Sequence, residues 1–272
     1  MEVQEESQEY LTVNTHQGLY QYNRHVFGIT SAPAIWQRAI DQVLDGLGGT
    51  SCILEDMIIT GKDDQEHPDH LEEVLERLKE HGLRANREEC EFVQKKITYC
   101  GHVVVQDGLH KTQENVDAVV NAPRPENVQQ VRSFLGLVNY YHTFVPNLAT
   151  TLHPLNQLLE QGKRWKWTTE CEEAFIKVKK LITSDMVLTH YDPGRPLRLA
   201  CDALPVGIGA VLSHILDDGS ERPIAFASRT QSKAERNYSQ IDKEALALVW
   251  GVKKFHLYLF GRHFTLVKDH DP

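Results

Sequence analysis

Residues 52–59 read Cys-Ile-Leu-Glu-Asp-Met-Ile-Ile, which is two short apolar runs on either side of an acidic pair. Thr60-Gly61 follow directly and can begin a turn. Short apolar runs bounded in this way are typical of paired β-strands. We therefore predict a tight β-hairpin with the carboxylates of Glu55 and Asp56 at its tip.

Helical patterns flank this hairpin on both sides. Upstream, the sequence predicts a helix that is capped by Ser31 and ends at Gly48-Gly49, because apolar residues recur between them at helical spacing. Downstream, residues 71–82 have the spacing of a second amphipathic helix, and strand-like pieces follow around Phe92 and over 99–105. The first part of the chain therefore alternates strands and helices.

The middle of the chain has a helical pattern. It runs from 114 to 144 and is broken at 122–125, where two prolines force an extended link. Residues 146–162, punctuated by proline and glycine, have the composition of a connector. The Thr-Glu-Cys-Glu sequence at 169–172 predicts a capping box for a helix that ends at Ile182.

The last part of the chain has the running order strand, strand, strand, helix, strand. These elements are predicted, in that order, at 197–203, 209–213, 223–228, 239–259 and 263–268. Alternate residues of a strand face opposite sides, so Asp202, near the end of the first strand, lies on the face opposite Cys201. This order predicts an α/β unit.

Length and composition indicate an ordinary globular protein. The chain has 272 residues, of which 41% are apolar and 25% charged, so two or more compact units are expected. No apolar run approaches the ~18 residues of a membrane span, and the acidic N-terminus lacks the features of a secretory signal. We expect an intracellular protein that is cytoplasmic with entry into the nucleus and makes no membrane contact. We expect its scattered cysteines to be reduced and to act as buried hydrophobic residues.

The net charge of −9 argues against a generic nucleic-acid binder, which normally carries a basic footprint. Nucleic-acid binding would then depend on local basic clusters. Three such clusters are Lys163-Arg164-Lys166, Lys177-Lys179-Lys180 and Lys253-Lys254.

Three acidic residues occupy positions that could converge. Asp202 and Asp269 lie at strand ends, and Glu244 lies beside the apolar face of the helix that joins the strands. A buried lone charge is costly, so Glu244 either lies at the rim or is compensated by a cation. Carboxylates without histidine or cysteine suit Mg²⁺ or Mn²⁺. Spacing alone leaves open that the two aspartates are turn residues and that Glu244 is solvated.

Four stretches match motifs of one family. They read F-G-I-T-S-A-P-A-I-W-Q-R at 27–38, G-L-R-A-N-R-E-E-C-E-F at 82–92, Y-C-G-H at 99–102 and S-F-L-G-L-V-N-Y-Y at 133–141. These resemble the template-gripping motif, the GL-x-LN-x-x-KC-x-F motif, the primer grip and the thumb-to-connection signature of the pol polyprotein of gypsy-class long-terminal-repeat retrotransposons. Residues 53–56 fall where this family has its Tyr-x-Asp-Asp hairpin.

The resemblance implies an α/β and α+β multidomain protein. It would have a partial reverse transcriptase palm at 1–105, thumb and connection segments at 106–165, and a C-terminally truncated ribonuclease H-like domain at 166–272. The family activity is RNA-directed DNA synthesis and cleavage of RNA in RNA:DNA hybrids. The implied partners are an RNA:DNA hybrid or template-primer nucleic acid and other retroelement polyprotein segments.

The resemblance also implies site residues. The catalytic set would be Asp202, Glu244, Asp269, Glu55 and Asp56. Mg²⁺ or Mn²⁺ would be bound by Asp202, Glu244, Asp269 and Asp56. Nucleic acid would be contacted by Phe27, Gly28, Pro33, Gln37, Gly101 and His102.

Departures from the family pattern predict that this copy does not polymerise. Ile53 and Glu55 replace the usual tyrosine and first aspartate, Glu89 replaces a lysine, and the 272 residues do not include the family's Leu-Asp-Leu block. Lys268 replaces a threonine, and because it faces away from Asp269 we expect a small direct effect. The alternative is a host-adopted, non-catalytic protein that binds nucleic acid or protein. A third possibility is a piece cut from a longer polyprotein.

Overall fold

The computed structural model describes residues 2–26, 28–162 and 164–268. The chain divides into two compact units, at 1–94 and 95–272. Within the described ranges, no helix is long and apolar enough to cross a membrane.

The first unit consists of two β-hairpins and two longer helices. Its elements are α1 (Glu5–Gln8), β1 (Thr12–Thr15), β2 (Gly18–Gln21), α2 (Ala32–Val43), β3 (Thr50–Ile53), β4 (Asp56–Ile59) and α3 (Glu66–Glu80). A small core forms where Ile40 of α2 packs with Val74 and Leu78 of α3, with partly buried side chains of β3 and β4 around them. The predicted hairpin is confirmed, because β3 and β4 pair antiparallel with Ile53 opposite Asp56.

Two details of the first unit differ from the sequence prediction. Helix α2 ends at Val43, and turns rather than helix lead to Gly48-Gly49. The strand-like piece around Phe92 is not a strand, because the next residue, Val93, has a φ of 53° and interrupts the extended backbone.

The second unit begins with a three-stranded sheet and a group of helices. The strands are β5 (Lys96–Tyr99), β6 (His102–Val105) and β7 (Gly108–Lys111), paired antiparallel in that order. The helices are α4 (Gln113–Val120), α5 (Val128–Asn139), α6 (Leu148–Thr151), α7 (His153–Gln157) and α8 (Thr169–Ile182). Their buried apolar side chains form one continuous core.

The connector prediction for 146–162 was wrong. Leu148 of α6, Leu155 of α7 and Leu152, which lies between the two short helices, are all buried in the helical core. The predicted capping box is not formed, since the N-cap of α8 is Thr168 and not Thr169, and the Thr168 side chain makes no capping hydrogen bond.

The last elements form a four-stranded sheet covered by a helix. They are β8 (Leu197–Ala203), β9 (Gly207–Ile215), β10 (Glu221–Thr230), α9 (Gln240–Lys254), α10 (His256–Leu259) and β11 (Phe264–Lys268). The spatial order is β10-β9-β8-β11, with β11 parallel to β8 and the other pairs antiparallel. The running order along the chain is the predicted one, although the helix predicted at 239–259 is divided into α9 and α10 at Phe255. The side chains of β8 alternate between buried and half-buried as expected.

Helix α9 lies unusually close to the sheet at Gly251. A Cβ at this position would meet the Sγ of Cys201 at 2.5 Å, so only glycine allows the approach. Burial raises the pKa of the Cys201 thiol to about 11. All five cysteines are free thiols, but only Cys171 and Cys201 are fully buried, so the prediction of five buried cysteines holds for these two.

Candidate functional site

The acidic hairpin tip is exposed. Glu55 lies in the turn and Asp56 begins β4, and the side chains of both residues face solvent. The preceding residue, Leu54, has a φ of 56°, in the left-handed region that costs a non-glycine residue about 1–2 kcal/mol. The tip therefore needs contacts from elsewhere to hold its shape.

Helix α2 supplies those contacts. The side-chain Oε1 of Gln37 accepts the N–H of Leu54 at 2.7 Å, and its Nε2 donates to the carbonyl of Cys52 at 2.9 Å. The indole Nε1 of Trp36 donates to the carbonyl of Leu54 at 2.9 Å. Gln37, predicted to contact nucleic acid, thus has its amide engaged in positioning the hairpin.

The other residues predicted to grip nucleic acid beside α2 are partly described. Gly28 is exposed and has a φ of 91°, a conformation that favours glycine. Pro33 is exposed in the first turn of α2, where it needs no N–H partner. Phe27 lies outside the described residues.

A tight turn at Cys100-Gly101 is held by two tyrosines of the second unit. Both turn residues have positive φ, 45° and 68°. The Tyr140 hydroxyl donates to the Cys100 carbonyl, and the Tyr141 hydroxyl donates to the Gly101 carbonyl at 2.9 Å. A Cβ on residue 101 would lie 2.4 Å from the Tyr140 hydroxyl oxygen, so this turn requires glycine.

His102, the other residue predicted at the primer grip, is part of an aromatic cluster. Its ring stacks on Tyr140 at 5.3 Å and on Phe144 at 5.7 Å between centroids, and its Nδ1 lies 2.9 Å from the Cys100 carbonyl oxygen. Desolvation raises the pKa of the neighbouring Tyr140 phenol. Sequence reasoning missed both tyrosines, although they end the stretch 133–141 that carried the family signature.

Two of the three carboxylates predicted to bind metal are described, Asp202 near the C-terminal end of β8 and Glu244 on α9. Asp202 is half-buried, and it pairs in register with Gly209. Glu244 extends from α9 with a side chain that is only 13% exposed. Gln240 connects the two elements, because its Nε2 lies 3.4 Å from both Glu244 Oε1 and the Ala203 carbonyl oxygen.

Lys268 forms an ion pair with Glu244, a contact that the sequence did not predict. Its Nζ lies 3.0 Å from Glu244 Oε2. Lys268 pairs with Cys201 across the parallel strands, and paired residues of neighbouring strands project to the same face. That face is the one covered by α9, so the lysine lies on the side from which Glu244 extends. The cation expected to compensate Glu244 is therefore a residue of the chain.

The carboxylates of Asp202 and Glu244 are hard oxygen donors of the type that Mg²⁺ and Mn²⁺ prefer, so their chemistry fits a divalent ion. Asp269, the third predicted ligand, lies outside the described residues. Among the residues that the structure does describe, no group of three or more His, Cys, Asp or Glu side chains could hold a metal ion.

An ion pair fixes the segment that leads into α9. Arg229 at the end of β10 donates two hydrogen bonds to Glu235, at 2.8 and 2.9 Å, and the N–H of Ser232 donates a third at 2.7 Å. The Arg229 side chain and these hydrogen bonds lower the pKa of Glu235 to about 2. Ser239 then caps α9 by accepting the N–H of Asp242.

The basic clusters differ in how free their side chains are. Lys179 donates to the carbonyls of Val120 and Ala122, at 2.9 and 2.6 Å, and so has a structural role. The exposed members of the three clusters are Arg164, Lys166, Lys177, Lys180, Lys253 and Lys254. These are the side chains available to phosphates; Lys163 lies outside the described residues.

Two family models match the chain. Residues 1–104 match "Reverse transcriptase (RNA-dependent DNA polymerase)", and residues 167–266 match "RNase H-like domain found in reverse transcriptase". The fold is similar to two solved structures of a foamy viral protease-reverse transcriptase, one in complex with double-stranded DNA and one with an RNA/DNA hybrid. The DNA complex has a TM-score of 0.86 and the hybrid complex one of 0.82, and each is 22% identical in sequence to this chain. Each match covers 100% of this chain, and 48% and 37% of the respective solved chains. The predicted fold class is confirmed.

The sequence is also similar to retrotransposon polyproteins. The Tf2-3 and Tf2-7 transposon polyproteins of Schizosaccharomyces pombe are each 36% identical to it over 257 residues, which is 93% of this chain and 19% of each relative. The chain belongs to the reverse transcriptase and ribonuclease H-like family of gypsy-class long-terminal-repeat retrotransposons, as its motifs predicted. It spans about a fifth of the length of the relatives that it matches.

Proposed function

We propose that this chain binds RNA:DNA hybrid or template-primer duplex through the phosphates and that it does not polymerise. The three proposed functional segments are a palm at 1–105, a thumb and connection at 106–165, and a ribonuclease H-like segment at 166–272. One observation supports the proposal: Gln37 holds the backbone of the hairpin and Gln240 connects α9 to β8, while Glu55 and Lys268 stand where the family motifs have other residues.

The polymerase part of the proposal rests on the hairpin. Trp36 and Gln37 hold its backbone, so the tip has a defined shape, but Glu55 replaces an aspartate of the family motif. Glutamate is one methylene longer, and metal-dependent phosphoryl transfer tolerates only small displacements of a ligand. Glu89, where the family has lysine, accepts a hydrogen bond from Asn86 at 2.8 Å and adds a negative charge.

The ribonuclease H-like segment is proposed to bind Mg²⁺ or Mn²⁺ through Asp202, Glu244 and Asp269. A bound divalent ion would supply Lewis-acid activation of a phosphodiester. The contribution of the chain is to hold α9, which carries Glu244, against the end of β8, which carries Asp202, through the packing at Gly251 and through Gln240.

Binding of a labelled RNA:DNA hybrid, measured by fluorescence anisotropy at several salt concentrations, tests the proposal. Phosphate contacts release counterions, so affinity should fall at least about tenfold between ~50 and ~200 mM salt. Hybrids of different sequence should bind equally, because phosphate contacts carry no base information. An affinity that is flat across this range would reject phosphate-mediated binding and favour the alternative of a protein-binding adaptor.

Alanine variants of the basic clusters identify the surface that binds the hybrid. Replacing the exposed lysines Lys177 and Lys180, or Lys253 and Lys254, by alanine should weaken binding and reduce its salt dependence. Lys179→Ala is the contrast: it should lower the melting temperature, because Lys179 bonds to the carbonyls of Val120 and Ala122, with less effect on the salt dependence. An unchanged affinity in both double variants would remove these clusters from the interface.

A further inference from the structure

Both carboxylate oxygens of Glu244 have partners within the chain. Oε1 lies 3.4 Å from the Gln240 amide nitrogen, and Oε2 lies 3.0 Å from the Lys268 ammonium. The Glu244 side chain is 13% exposed and that of Lys268 is 39% exposed. A carboxylate with so little water around it requires a nearby positive charge or hydrogen-bond donors. Lys268 therefore supplies the positive charge that a bound metal ion would otherwise supply beside the Glu244 carboxylate.

We propose that Lys268 is a built-in competitor for the divalent cation at this carboxylate site. Its ammonium binds the oxygen that a metal ion would use, and its charge opposes a second cation nearby. Metal binding then requires the lysine to leave Glu244. This inference rests on the proposed metal site and adds to it a residue that sets how tightly the ion binds.

The pairing register of β11 against β8 places Lys268 on the side of the sheet from which Glu244 extends. Lys268 pairs with Cys201 in the parallel β11–β8 ladder, and Cys201 packs against Gly251 of α9. The lysine therefore points toward α9, and its flexible stem reaches Glu244 from the last residue of β11. A neutral residue at 268 would leave the same backbone and the same carboxylate without the internal cation.

Removing the lysine has two expected effects of opposite sign. Without metal, Lys268→Thr should lower the melting temperature, because the Glu244 side chain stays largely buried and loses its cation. With Mn²⁺, the same variant should bind the ion more tightly, because no ammonium must be displaced. A merely structural lysine would give the first effect without the second.

The test is thermal melting of the full chain in EDTA and across a Mn²⁺ titration. Relative to the parent, the Mn²⁺ concentration that gives half of the maximal stabilisation should fall about tenfold in Lys268→Thr and in Lys268→Met, which keeps most of the side-chain length. Lys268→Arg should behave as the parent. Lys233→Thr removes the same charge from an exposed loop and should leave the half-saturating concentration unchanged.

The outcomes separate this inference from the proposed metal site. Equal, measurable Mn²⁺ binding by the parent, Lys268→Thr and Lys268→Met would overturn the role of Lys268 and leave the metal site standing. Absence of Mn²⁺ stabilisation in every protein would overturn both. Stabilisation of Lys268→Thr that disappears when Glu244→Gln is added supports both.

Discussion

The side chain of Gln37 holds the backbone of Leu54, accepting its N–H at 2.7 Å at the point where the acidic hairpin turns. Leu54 has a left-handed backbone, and Trp36 binds its carbonyl from the same helix. The shape of the tip is therefore imposed by α2 and does not depend on which acidic residues occupy it. A hairpin can retain the geometry of the family while the chemistry of its tip changes.

Replacing Gln37 by alanine should loosen the hairpin. The variant removes two hydrogen bonds to the backbone, so we expect the free energy of unfolding of the first unit to fall by about 1–2 kcal/mol. Hydrogen exchange at the Leu54 amide should become faster. Gln42→Ala, at an exposed position of the same helix, is the matched control and should leave that exchange rate unchanged. Equal exchange in both variants would show that Gln37 does not position the tip.

Tyr141→Phe should destabilise the turn at Cys100-Gly101. The buried Tyr141 hydroxyl donates to the Gly101 carbonyl and accepts from the N–H of Thr112 at 3.1 Å. Loss of the hydroxyl leaves buried polar groups without this partner, which should cost about 1–3 kcal/mol in chemical denaturation. Tyr140→Phe, at a 44% exposed position, should cost less. A larger loss in Tyr140→Phe would contradict the assignment of Tyr141 as the main clamp.

Glu235 should make stability depend on pH. Its pKa in the folded chain is about 2, below the ordinary 4.5, so the ion pair with Arg229 stabilises fully above pH 4.5. That contribution, roughly 1–3 kcal/mol, is lost as the pH falls from 4.5 toward 2. Glu235→Gln should therefore lower the free energy of unfolding at pH 7 and flatten its acid dependence. Parallel pH profiles for the two proteins would rule out the Glu235 contribution.

Restoring family residues at the hairpin should not restore polymerisation. Glu55→Asp combined with Glu89→Lys corrects the charges, but polymerisation requires carboxylates from two strands to hold the ions. No third carboxylate joins the tip in the part of the chain that the structure describes. Primer extension by the purified parent and by the double variant should stay at background. Incorporation by either one would show that the hairpin suffices.

The local elements could be predicted from the sequence. The hairpin at Glu55-Asp56, strand β8 and the helix capped by Ser239 follow from short-range patterns of apolar residues, caps and turns, and the structure confirms them. The convergence of Asp202, Glu244 and Asp269 stays a prediction; the structure shows that Gln240 connects α9, which carries Glu244, to the end of β8. The identification with a pol polyprotein came from motifs and is confirmed by the comparisons.

Contacts between distant segments could not be predicted in this way. Tyr140 and Tyr141 bind a turn forty residues earlier, and no local pattern specifies that pairing. The orientation of Lys268 depends on the register of β11 against β8, which alternation within a single strand does not determine. The prolines and glycine of 146–162 predict a connector, but the leucines of this segment become part of the core when α8 packs on them.

The decisive measurement is RNA cleavage in a defined RNA:DNA hybrid at low salt with Mn²⁺, carried out on the parent chain and on Asp202→Asn. Anisotropy on the same samples reports how much hybrid is bound. With Lys268 on Glu244, we expect both proteins to bind the hybrid and the parent to cleave it no faster than Asp202→Asn. Cleavage by the parent that is lost in Asp202→Asn at equal binding would show instead that this chain is a working nuclease.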